Sequence, residues 1–211
     1  MISALERIYL QFLKDGDTAK LIDDVARRYT LSTLHRIAES GRVLSRRAAV
    51  LSVGWLGQFE SNCVLGRALS DRDRGVRLTA DASIREIWLR VGDHYLEGKL
   101  RTLARWNSCG RFLQVLGASD ELFVTYGAVA ELWHQRAVAQ FGLAEFEGCL
   151  SDCLETLERN PFHFSAASTL GRCNLALDRI DDALSAFRQA LAINPTLEHL
   201  RGMVRRLERT R

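Results

Sequence analysis

Proline, lysine and long apolar runs are what this chain has least of. Its 211 residues include only 2 Pro, and its 29 basic residues include only three lysines, Lys14, Lys20 and Lys99. The longest stretches without a charge, 48–59 and 160–171, fall well short of the roughly 18 residues of a spanning helix, which excludes a membrane-spanning reading. The opening Met1-Ile2-Ser3-Ala4-Leu5-Glu6-Arg7 has an early acid and no basic-then-apolar run, so no ordinary signal peptide is expected. Five cysteines (Cys63, Cys109, Cys149, Cys153, Cys173) are too few and too scattered for a disulfide framework. Reduced thiols packed as small hydrophobes, in a cytoplasmic protein, are the expectation.

Motifs of catalysis are missing too. There is no Gly-x-Gly-x-x-Gly, phosphate loop, His-Glu-x-x-His or Gly-x-Ser-x-Gly, and the five histidines (His35, His94, His134, His163, His199) lack metal-ligand spacing. Cys149 and Cys153 share a helix face, with His163 ten residues on, but a metal site would want a tighter, more polar cluster. No catalytic residue, cofactor or metal is therefore expected. Trp55, Trp88, Trp106 and Trp133 stand at helical spacing beside Leu and Val and read as core. The net charge of +3 is unevenly placed, with 15 basic and 12 acidic groups in residues 1–93 against 14 and 14 in 94–211, and neither half has a large positive excess; the exception is the tail, where Arg201, Arg205, Arg206, Arg209 and Arg211 face only Glu208. This argues against a dedicated nucleic-acid binder.

What is present is a helical pattern, 47% hydrophobic and 26% charged, with no alternating β signal. The two prolines, Pro161 and Pro195, each follow Asn and lie 34 residues apart. Each Asn-Pro ends one helix and launches the next. On this offset Ala137 aligns with Gly171, Phe146 with Ile180, Cys149 with Ala183, Cys153 with Phe187 and Leu157 with Leu191. Helices over 129–141, 144–158, 163–175 and 179–192 follow, sealed by an amphipathic helix over 196–208. The series Trp133, Ala137, Phe146, Cys149, Cys153, Pro161 and then Gly171, Ile180, Ala183, Phe187, Ala190, Pro195 resembles the tetratricopeptide repeat. The first unit departs from it, with Arg136 at a usually apolar position and Cys153 in place of an aromatic. A decayed unit precedes them around 111–127, interrupted at Gly117-Ala118-Ser119-Asp120.

The first half repeats with a period of 31. Ser45-Arg46-Arg47-Ala48-Ala49-Val50-Leu51-Ser52-Val53 aligns with Val76-Arg77-Leu78-Thr79-Ala80-Asp81-Ala82-Ser83-Ile84, and Leu34 and Arg36 align with Leu65 and Arg67. This resembles the HEAT repeat in its short bacterial variety. The resemblance implies that the arginine bonds an acidic turn between units, with Asp71 and Asp73 placed before Arg77. Helices are expected over 2–14, 18–28, 31–39, 44–57, 60–70, 75–91 and 93–107, the last capped by Asp93.

The expected fold is all-α: a right-handed α-α superhelical solenoid with HEAT-like hairpins over 1–108 and tetratricopeptide hairpins over 109–211. Such stacks leave a concave face. The tetratricopeptide resemblance places Glu131, His134, Gln135 and Val138 on it from one unit and Ser168, Thr169, Arg172 and Leu175 from the next. There Arg172 and His134 could grip a peptide carboxylate or backbone, or Arg172 could pair with an acid such as Asp178. The lysine-and-asparagine clamp that some members use for chaperone C-termini is missing. In the HEAT-like half the second helices are expected to line the inner surface, with Arg36 and Arg67 in a row. The resulting expectation is a non-enzymatic adaptor for a protein or peptide. Alternatives are nucleic-acid binding through the arginines of the first half and the tail, and a lyase-like role implied by the short HEAT variety alone. Whether Gly110 and Gly117 form a hinge is open at this level.

Overall fold

The computed structural model describes residues 2–209, and among them it contains helices and turns but no strand. Two compact units divide the chain after Arg90. The sequence reading closes its first module at 108, but the helix over His94–Ser108 packs on the two that follow it and so belongs with the second unit.

The first unit holds α1 (Ala4–Asp15), α2 (Thr18–Ala26), α3 (Leu31–Ser40), α4 (Val43–Leu56), a short 3-10 turn, α5 (Asn62–Ala68) and α6 (Arg74–Leu89). Oxygen-bearing side chains start most of them. Ser3 and Glu6 form a reciprocal capping box on α1, and Asp17, Thr30 and Asp73 cap α2, α3 and α6. Helices α3–α4 and α5–α6 pair as successive hairpins, with α4 packed on α6 and α3 beside α5. Gly54 allows the close approach of α4 to α6, since a Cβ there would lie 2.2 Å from the Ser83 hydroxyl. Val50, Val53, Ile84 and Trp88 fill the seam, and the Trp88 indole donates to Asn62 at 2.8 Å. Trp55 departs from expectation: at 44% exposed it lies outside the core.

The period of 31 has a structural counterpart. Arg46 donates from Nη1 to the Gly41 carbonyl, and Arg77 donates from Nη1 to the carbonyls of Asp71 and Arg72. Each therefore holds the turn before its own helix. The carboxylates of that second turn serve α4, the second helix of the preceding hairpin, instead: Asp71 receives a bidentate pair from Arg46 (2.7 and 2.8 Å) and Asp73 one from Arg47 (both 2.7 Å). Arg46 and Asp71 are mostly shielded from water. Removing one partner strands the other, so Arg46→Ala should cost about 1–3 kcal/mol in a denaturant titration. Asp71→Asn in the same background should then add little.

The second unit comprises α7 (His94–Ser108), α8 (Phe112–Tyr126), α9 (Ala130–Gly142), α10 (Phe146–Arg159), α11 (Phe164–Ala176), α12 (Ile180–Ile193) and α13 (Glu198–Arg209). They pair in order as α7–α8, α9–α10 and α11–α12. Asp93 caps α7 as expected. The turns within the three pairs are alike at a spacing of 34 residues. Gly110, Ala144 and Asp178 each adopt a left-handed conformation, with φ of 71°, 61° and 58°. The amide of the next residue reaches five residues back each time, from Arg111 to Trp106, Glu145 to Gln140 and Arg179 to Asn174. Phe112, Phe146 and Ile180, again 34 apart, open the second helices. The unit around 111–127 is thus a full hairpin with α7 as its first helix. Gly117 does not interrupt α8: a helical glycine costs about 1 kcal/mol, and the buried Val115, Ser119 and Leu122 hold the helix across it.

Each Asn-Pro junction is fastened by its asparagine. Asn160 and Asn194 are buried, and their side chains accept the amides of Phe162 and Thr196 at 3.1 and 3.0 Å. Arg136, the polar exception in the pattern, pairs with the buried Asp152 of α10 at 2.6 and 2.9 Å and lies over the Phe123 ring. Small and large residues complement one another. Gly171 faces Phe187, whereas in the preceding hairpin Ala137 shares its core with Cys149, Cys153 and Cys173. A Cβ on Gly171 would come within 2.5 Å of the Phe187 ring. Gly171→Ala should therefore destabilise by about 1–3 kcal/mol despite its better helix propensity. Combining it with Phe187→Leu should cost less than the two changes summed, as a thermal-melt double-mutant cycle would register. Helix α13 closes the series: Leu200 and Val204 face α12, while Arg201, Arg205 and Glu208 face water.

Candidate functional site

A buried polar cluster lies where α9 meets the start of α11. Glu131 in the first turn of α9, His134 one turn on, Gln135 and the α11 cap residue His163 converge, each 9% exposed or less. Helical geometry puts Glu131, His134 and Gln135 on one face, and the hairpin repeat swings His163 onto it. His163 Nδ1 accepts the Ala166 amide at 3.1 Å, so the ring proton sits on Nε2 and is donated to Glu131 Oε2 at 2.9 Å. The other oxygen, Oε1, accepts the Gln135 amide at 2.6 Å. Asn107 of α7 donates to the side-chain and backbone oxygens of Gln135, both at 2.8 Å. His134 Nδ1 lies 3.6 Å from Glu131 Oε1, beyond hydrogen-bond reach, and its ring centroid is 4.4 Å from that of His163. One ligand atom from each of Glu131, His134 and His163 falls within 4.8 Å of the others.

Of the residues assigned to a concave face, Glu131, His134, Gln135 and Thr169 are buried. Val138, Ser168 and Leu175 are half-buried, Leu175 packing on the α12 core. Arg172 is exposed and does not pair with Asp178. Its guanidinium lies 4.2 Å from the Phe141 ring centre and has no carboxylate partner among the described residues. Arg36 and Arg67 are both exposed, but on α3 and α5, the first helices of their hairpins, and Arg67 is paired with Glu39. In the tail, Arg201 donates to the Pro195 carbonyl, and Arg211 lies outside the described residues.

Two further features carry no mark in the sequence. The first is the junction of His134 with His163, which are 29 residues apart. The second is a groove of about 440 Å³ on α7 and α8, lined by Tyr95, Lys99, Thr102, Leu103, Trp106 and Ala118 among others. Tyr95 is 59% exposed there, and Lys99 and Arg111 lie over the rings of Tyr95 and Trp106. Two of the five thiols, Cys63 and Cys109, are also exposed rather than core, while Cys149, Cys153 and Cys173 are buried. No helix among the described residues is long and apolar enough to cross a membrane. Compared with known family models and with curated proteins, the chain finds no match.

The electrostatics of the cluster are one-sided. Burial pushes the His163 imidazole down to about 4, His134 adding to the effect and Glu131 opposing it. Burial alone would raise Glu131, but contacts with His134 and His163 outweigh it and hold its carboxyl below the usual range. An unfolded histidine takes up its proton near 6.5, whereas folded His163 does so only near 4. Folding therefore excludes a proton between these values. Stability is full above pH 6.5 and falls as the pH drops towards 4, by up to about 3 kcal/mol. Because burial pushes His35 down as well, the informative comparison is with a variant. His163→Asn keeps a capping side chain, and in urea titrations between pH 6.5 and 4.5 its loss of stability should be shallower than the parent's.

Proposed function

We propose that the chain is a non-enzymatic helical-repeat scaffold that holds a protein or peptide partner. Its second unit reads as tetratricopeptide-like hairpins and its first as HEAT-like ones, in an α-α array of right-handed type. The groove on α7 and α8 carries this reading. It sets an exposed tyrosine, a half-buried tryptophan and aliphatic carbon in one concavity, with two cations on its aromatic rings. Aromatic anchors of this kind dominate the energetics of protein interfaces. Arg172, stacked on Phe141 without a carboxylate, adds a preoriented donor for a partner's carboxylate or backbone oxygen.

The nucleic-acid alternative is weakened by the pairing of its arginines. Arg46, Arg47 and Arg67 are already matched to Asp71, Asp73 and Glu39. His134 is buried, so its loss would disturb packing as well as binding. Affinity purification with mass spectrometry, repeated with Tyr95→Ser and Arg172→Ala, tests the proposal. Both side chains are exposed, so both variants should melt within about 1 °C of the parent. A specific partner should be depleted by Tyr95→Ser about tenfold or more. Equal recovery of every captured protein by the parent and both variants would refute it.

A further inference from the structure

We propose that Glu131, His134 and His163 form a binding site for one divalent transition-metal ion of the zinc class. Three observations converge on it. The two contacts to Glu131 are 2.9 Å from His163 and 3.6 Å from His134, and all three ligand atoms fall within 4.8 Å. Tetrahedral zinc with bonds of about 2.0–2.1 Å sets its ligands about 3.4 Å apart, so small side-chain shifts suffice. The His134 Nδ1 atom is buried and has no hydrogen-bond partner, in a residue 9% exposed that borders the carboxylate. The Glu131 carboxylate is buried with two imidazoles and an amide around it, and no arginine or lysine among the described residues pairs with it. A dication would satisfy both the unused nitrogen and the unmatched charge. Two imidazoles and one carboxylate favour zinc, cobalt or nickel over calcium or magnesium.

Loading moves one proton within the ring and gives up two hydrogen bonds, the one from His163 to Glu131 and the one from the Ala166 amide to His163. His163 now carries its proton on Nε2; to ligate there, the ring holds that proton on Nδ1 instead, and the Ala166 amide loses its acceptor. The ring stays neutral, so no redox or acid co-reactant is needed. Losing the cap makes binding weaker than in a site whose outer nitrogen already faces an acceptor, and a micromolar dissociation constant is expected. A water fills the fourth position from the side of His134, the least buried of the three.

The test is calorimetry with Zn²⁺ and visible absorption with Co²⁺ on the chelator-treated full chain. Exposed Cys63 and Cys109 are changed to Ser so that surface thiols do not contribute. One equivalent should bind, with a cobalt spectrum of tetrahedral type lacking thiolate charge transfer. His134→Gln, with an unchanged circular dichroism spectrum, should weaken binding about 30-fold or more. Should that variant not fold, His163→Asn takes its place with the same expectation. No saturable binding at millimolar metal, or undiminished binding in the folded variant, would overturn the proposal.

Discussion

The Glu131 carboxylate sets the terms for the second unit. A buried anion is costly unless hydrogen bonds surround it, and the donors come from different helices. Gln135 is held by Asn107 from α7, while His163 is fixed by its capping bond to α11. The first helices of three successive hairpins are thus joined through one charge. The two helices of a hairpin associate by other means: apolar packing, and the Arg136–Asp152 pair that ties α9 to α10.

The first unit solves the same problem nearer the surface. Arg46 and Arg47 at the start of α4 clasp the two carboxylates of the turn before α6. Those arginine pairs hold the carboxyls of Asp71 and Asp73 below their ordinary values, Asp71 against a burial cost that alone would raise it. The outer of the two, Arg47–Asp73, reaches water and is open to screening by salt, whereas a sealed network responds chiefly to protons. Each unit accordingly has its own chemical weakness.

Most helices were legible because apolar periodicity and two Asn-Pro junctions mark them without help from tertiary structure. The first hairpin of the 34-residue series was not, for a definite reason. Gly127 stands where the later hairpins have proline and Ser119 where they have Cys153 and Phe187. What persists is the turn geometry, and Phe112 and Val115 at the correct offset from Phe146 and Cys149 would have betrayed it. The polar cluster was harder to see. Glu131 and His134 were singled out as partner-facing, but their burial depends on His163 arriving from the next hairpin and Asn107 from the preceding one. Spacing along a single helix does not carry that information. Trp55 and Arg172 make the complementary point, since helical phase leaves open whether a neighbour covers a given face.

Helix α13 presents Leu200 and Val204 to α12 and, among its described residues, Arg201, Arg205, Arg206 and Arg209 to solvent. On α7, by contrast, Tyr95 and Trp106 keep carbon surface in the groove they share with Ala118 of α8. Stacked hairpins need carbon to meet carbon, so a helix whose outer side is arginine and water ends the pairing instead of passing it on.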